Sequence, residues 1–144
     1  MPVSTSVLHL SAVLLLDERG RMLVVRKRDA THFQQVGGKI DLGETAIDAL
    51  IRELHEEIGL RVEASALIPL GRFSAPAANE AGFTVEADVF RLDLVSPSLV
   101  PGAEIEEIRW IDPATDGDTP LAPLTRERLV PLVIEGRRSS SHFA

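Results

Sequence analysis

From Thr45 to Ile58 apolar residues recur at 47, 50, 51, 54 and 58. That i, i+3, i+4, i+7 spacing predicts an amphipathic helix, and Gly59 sits where a helix ends on a left-handed glycine. Upstream, Val7–Leu16 and Met22–Val25 are short apolar runs split by the polar stretch Asp17-Glu18-Arg19-Gly20, which reads as strand, turn, strand. Val36–Gly43 carries Gly37, Gly38 and Gly43 and reads as a shaped loop. Leu67–Phe73 and Phe83–Val95 are predicted strands around a Ser74–Gly82 loop, and Ile108–Ile111 is a short strand stopped by Asp112-Pro113. Leu124–Ile134 has helical character that Pro131 opposes in its second half. Strands mixed with two helices predict an α/β sandwich with helices covering a central sheet.

Domain organisation is simple. With 144 residues and no internal repeat or long linker, one domain over 1–136 is expected, followed by a polar tail over 137–144 that is expected to be mobile. The chain has no cysteine, which excludes disulfides, zinc–thiolate centres, iron–sulfur clusters and a thiol nucleophile. Its net charge of −7 disfavours a grip on duplex nucleic acid through phosphates. A phosphorylated ligand would call for cations to offset that charge. The most apolar run, Val7–Leu16, is too short to span a membrane, for which about 20 residues are needed. No Lys or Arg precedes it as in an export signal, so a cytoplasmic setting is expected.

The chemistry concentrates on the Thr45–Ile58 helix. At about 100° per residue, Glu53, Glu56 and Glu57 share an arc of about 100°, apart from the apolar stripe. Ala46 and Ala49 lie among them and leave room for an approach. No Lys is interleaved to relieve the repulsion, and Arg52 reaches only part of the cluster. Crowded carboxylate oxygens suit a hard divalent cation, though the pattern also fits a solvated acidic face. Gly37-Gly38, ahead of the helix, would let backbone approach a ligand closely.

The spacing G-x5-E-x7-R-E-U-x-E-E-x-G-U, with U bulky and apolar, resembles the box of the Nudix family. Gly38, Glu44, Arg52, Glu53, Leu54, Glu56, Glu57, Gly59 and Leu60 fill it without a mismatch. The resemblance implies a Nudix fold, an α/β/α sandwich with a mixed sheet, and hydrolysis of a nucleoside diphosphate linked to a further group. By position it implies Glu53, Glu56 and Glu57 as ligands of Mg²⁺ or Mn²⁺, with the Gly38 carbonyl adding an oxygen. It also implies that Arg52 orients the glutamates and that Glu44 supports them. Val36 stands where the family usually has Pro, from which a looser loop is expected.

Other residues extend this reading. Arg26, Lys27, Arg28 and Lys39 could meet phosphate oxygens; alternation lets only one side of 26–28 face the site. Lys39, beside the Gly pair, and Arg28 are the expected contacts. Phe33 and Phe83 are candidates to stack on a base, whereas Phe73 and Phe90 read as core; Gln35 and Asn79 could hydrogen-bond a base edge. The four histidines show no ligand spacing, and His55 projects away from the carboxylates. Among Glu104, Glu106 and Glu107, Glu104 follows Pro101-Gly102 in a loop free to swing toward the site, and its placement resembles the family's extra catalytic glutamate. Glu107 is expected to pair with Arg109, and Glu106 to lie beyond the strand.

The absence of Tyr removes the mark of the family's dinucleoside polyphosphate hydrolases, and neither a coenzyme A motif nor the NADH hydrolases' proline-rich array is seen. Pro76 lies near where ADP-ribose hydrolases carry a proline. The small single domain resembles MutT-like enzymes acting on nucleoside triphosphates. The alternatives are an ADP-ribose or nucleotide-sugar hydrolase and a non-catalytic nucleotide sensor. The expected partner is a small-molecule nucleotide, with no membrane or duplex nucleic acid, in a monomer or homodimer.

Overall fold

The computed structural model describes residues 6–77 and 81–141. Asn79 lies outside the described residues. Six strands form one mixed sheet: β1 (Ser6–Leu16), β2 (Met22–Lys27), β3 (Gly37–Lys39), β4 (Ile68–Pro76), β5 (Phe83–Asp93) and β6 (Ile105–Ile111). The order is β4-β5-β1-β2-β6, and β3 also pairs with β1. β1 runs parallel to β5 along its whole length. Its other side is shared by β3, antiparallel at residues 10–12, and β2, which meets it at Leu16↔Met22. Buried on both faces from Ser11 to Leu16, the second half of this central strand reads as a continuous apolar run rather than an alternating one.

Period-2 geometry divides the core into two layers. Val13, Leu15, Leu23 and Val25 pack with Leu50, Leu54 and Ile58 of helix α1 (Ala46–Ile58). Ala12, Leu14, Met22 and Val24 face the opposite way, toward Leu124, Leu129 and Val133. Thr45 caps α1, its hydroxyl accepting from the Asp48 amide at 3.1 Å. Gly59, at φ 68°, ends it with its amide donating to the His55 carbonyl. Both termini follow the sequence signals.

The chain's last helical stretch departs from expectation. Thr125–Leu129 form a π turn, and the α-helix α2 spans Val130–Ser141. Leu124 and Val130 are themselves helical, so Pro131 lies inside a continuous helical stretch, and the π turn falls just before it, where its missing N–H interrupts the regular ladder. The helix continues past Arg137 into the stretch expected to be a tail, and Arg137 is tied to Asp112 (2.7 Å) and the Gly20 carbonyl (2.8 Å). β6 also begins earlier than predicted, so Glu106 and Glu107 are strand residues. Glu106 is skipped in the β2–β6 register and forms a bulge. Among the described residues no helix is long and apolar enough to cross a membrane.

Candidate active site

The adjacent glycines Gly37 and Gly38 are set by what each one touches. A Cβ on Gly37 would overlap the Ser11 carbonyl of β1, and one on Gly38 would sit 2.6 Å from the Glu53 carboxylate. The start of the stretch expected to be a loop is thus strand β3, held against β1 on one side and α1 on the other. Val36 does not loosen it: the residue is wholly buried, and its carbonyl accepts from Val13 N at 3.0 Å.

The three glutamates of α1 lie at graded depth. The Glu56 side chain is 58% exposed and that of Glu53 15%, while Glu57 is buried. Glu57 Oε2 accepts from the Gly37 amide at 3.3 Å. Its Oε1 is buried without a hydrogen-bond partner among the described residues. Burial pushes its carboxyl up to about 8; the Lys27 charge opposes the rise and neighbouring Glu53 adds to it.

Arg52 joins loop to helix. It grips Glu44 with two hydrogen bonds of 2.9 Å, reaches Glu53 Oε1 at 2.7 Å and donates to the Lys39 carbonyl at 3.1 Å. Asp41 and Glu56 lie at 3.3 and 3.6 Å. Glu57 is not among its partners. The Arg52 bonds, with the Asp41 amide, hold Glu44 down at about 2.

An all-oxygen set with one buried oxygen left unpaired fits a hard divalent cation. Among the described residues no group of three acidic or imidazole side chains already stands in metal-holding geometry.

A cavity of about 470 Å³ opens beside this cluster. Its lining combines charged side chains, Lys27, Lys39, Glu53, Glu56 and Glu104, with apolar ones, Leu8, Leu10, Val85, Pro123 and Leu124. Glu104 therefore does reach the site. Its loop is stitched to the end of α1, Gly102 N donating to the Glu57 carbonyl and Val100 N to the Ile58 carbonyl, both at 2.9 Å. Glu106 and Glu107 are outside the cavity lining, paired with Arg28 and with Arg109.

Three expected substrate contacts are not brought there. Arg28 donates to the Ala103 carbonyl and Glu106, and does not line the cavity. It lies on the opposite side of the strand end from Lys27, which follows Leu23 and Val25 onto the α1 face and has no ion-pair partner among the described residues. Phe33 is core, 3% exposed, with the Arg109 guanidinium 4.4 Å from its ring centre. Phe83 opens β5 opposite Ser6 and is not among the residues that line the cavity. Lys39 does line it. Gln35, weighed from the sequence only as a base contact, lines it too.

The NUDIX domain model matches residues 8–129. An RNA pyrophosphohydrolase of Francisella tularensis subsp. mediasiatica is 46% identical over 50 residues, 35% of this chain and 32% of that protein. A Bacillus subtilis protein provisionally named an 8-oxo-dGTP diphosphatase is 29% identical over 102 residues, covering 70% of this chain and 64% of that one. The chain thus spans less than two thirds of the length of either relative. The crystal structure of a MutT protein from Methanosarcina mazei Go1 superposes with a TM-score of 0.72 at 18% identity, covering 94% of this chain and 99% of that chain. At that identity the likeness is one of fold.

Proposed function

This chain belongs to the NUDIX domain family, and from that premise we propose that it hydrolyses a diphosphate linkage in a nucleotide, with a nucleoside triphosphate as the leading substrate and Mg²⁺ or Mn²⁺ as cofactor. The observation that carries this reading is Glu57: a buried carboxyl whose Oε1 is unpaired among the described residues, next to Glu53, which lines an open cavity. A solvated acidic face would not bury its carboxylate.

Glu53, Glu56 and Glu57 would hold the cation, with the Gly38 carbonyl as a further oxygen. When bound, it supplies a lowered pKa for water and neutralises phosphate charge. Arg52 fixes Glu53 and, through Glu44 and the Lys39 carbonyl, the loop above it. Lys27 and Lys39 bind phosphate oxygens from the cavity wall. Glu104 accepts the proton of the attacking water on a carboxylate oxygen. The water oxygen bonds to phosphorus, the anhydride P–O bond breaks, and the phosphate group beyond it leaves.

The setting we infer is cytoplasmic, in keeping with a chain without cysteine. The test is phosphate and pyrophosphate release from a panel of triphosphates, ADP-ribose and nucleotide sugars, with Mg²⁺ and with EDTA. Mg²⁺-dependent release, greatest from triphosphates, is expected. Binding without release from any of them would make the protein a nucleotide sensor.

A further inference from the structure

Gln35 and Thr125 form a buried polar pair at the inner wall of the cavity, 90 residues apart in sequence. Gln35 is 5% exposed and Thr125 is fully buried. The Thr125 hydroxyl donates to Gln35 Oε1 at 2.6 Å, and the Gln35 backbone amide points at the same hydroxyl oxygen at 3.4 Å. The hydroxyl has one proton to give, and here it goes to the side-chain oxygen, so the amide stands with its oxygen toward Thr125. The oxygen is spent on Thr125, and the Nε2 group remains; among the described residues nothing accepts from it. Thr125 opens the π turn, and its carbonyl takes the Val130 amide in the i→i−5 bond of that turn. Such turns are rare and concentrate at functional sites.

The position of this amide matters because the cavity lining holds both charged and apolar side chains. Phosphates belong with Lys27, Lys39 and the glutamates, which leaves the remainder of a nucleotide to the apolar part of the lining, where Pro123 and Leu124 adjoin Thr125 and its partner Gln35. Gln35 offers that part of the ligand two N–H donors and no acceptor. Resting on the nucleotide-hydrolase reading, we infer that Gln35 is a specificity-determining residue: the site selects nucleotides whose base turns a carbonyl oxygen, rather than an amino group, toward the Gln35 amide, and Thr125 is the positioning residue that keeps the amide in that orientation. An amino group there would set donor against donor in a largely buried place and leave both unpaired, a mismatch that hydrogen-bonding sites reject strongly.

The experiment uses two matched pairs, inosine against adenosine triphosphate and uridine against cytidine triphosphate. The members of each pair differ by carbonyl against amino at the corresponding ring position. For the wild type, KM is expected to be at least about tenfold lower for the carbonyl member of one pair or both. In Gln35→Met, of similar length but without the amide, KM for the carbonyl member should rise until the preference is gone. Thr125→Val should weaken the preference, because the freed amide can turn its oxygen to the ligand, whereas Thr125→Ser should retain it. A lost hydroxyl that mattered only to packing would change stability without changing the ratio of KM values. Equal KM values in both wild-type pairs, or a preference that survives Gln35→Met, would overturn the inference. Should no nucleotide be turned over, calorimetric binding of the same four compounds separates the two readings. Binding that favours the carbonyl members keeps the inference while removing the hydrolase reading; binding without preference, or none, removes the inference.

Discussion

The Gly102 amide donates to the Glu57 carbonyl at 2.9 Å, so the loop that carries Glu104 is fastened to the helix turn that carries the buried carboxylate. A Cβ at Gly102 would overlap the Glu56 carbonyl, and a helix backbone has little freedom to yield. Gly102→Ala should therefore push the loop off α1 and lower kcat by about a hundredfold, the scale of an ångström-sized misplacement. Kinetics and a thermal melt together check this; wild-type turnover in a folded Gly102→Ala protein would show that the fastening does not matter.

Glu104→Gln should lower kcat at least about tenfold with little change in KM, as expected for a group that moves a proton. Glu106→Gln and Glu107→Gln should stay within a few-fold of wild type, because their carboxylates are engaged by Arg28 and Arg109 outside the cavity. Steady-state kinetics of the three variants decide it. A collapse at Glu107 with a flat response at Glu104 would transfer the role.

Glu53→Gln and Glu57→Gln remove charge and keep shape. Each should reduce turnover by orders of magnitude while the protein stays folded. In the wild type, Mg²⁺ at 100 times its Kd should stabilise by about 2.7 kcal/mol over EDTA. That shift should shrink in both variants, and metal-free Glu57→Gln should melt no lower than wild type at pH 7, since the Glu57 carboxyl, pushed up to about 8 from the ordinary 4.5, must take up a proton on folding and the amide need not. Thermal melts with and without metal provide the measurement.

Glu44 sets an acid-side dependence. Its folded value of about 2 lies below the ordinary 4.5, so between these the unfolded chain binds more protons than the folded one. The stabilisation is present above about pH 4.5 and is lost as pH falls toward 2. Glu44→Gln should flatten that part of the curve of Tm against pH. Parallel curves for variant and wild type would mean that the Arg52–Glu44 pair is too solvated to matter.

Much of this site is local in origin and was legible in the sequence. The 3.6-residue period placed Glu53, Glu56 and Glu57 on one face of α1, Thr45 and Gly59 mark its ends, and the Gly pair announced a close backbone approach. Depth was not legible. A helical wheel gives the three glutamates equal standing, yet only Glu57 is buried, because β3 and the 99–104 loop close over that turn of the helix and leave Glu56 in solvent. Alternation separated Lys27 from Arg26 and Arg28, but β2 is apolar on both faces, so the pattern held no sign of which side met the cavity. Phe33 has the composition of a stacking platform and became core once Pro120 and Ala122 paired with its backbone. Periodicity and capping depend on neighbours a few residues apart and are written into the sequence. Desolvation, and the Gln35–Thr125 pair across 90 residues, depend on which distant segments the folded chain brings together, and only the tertiary structure decides that.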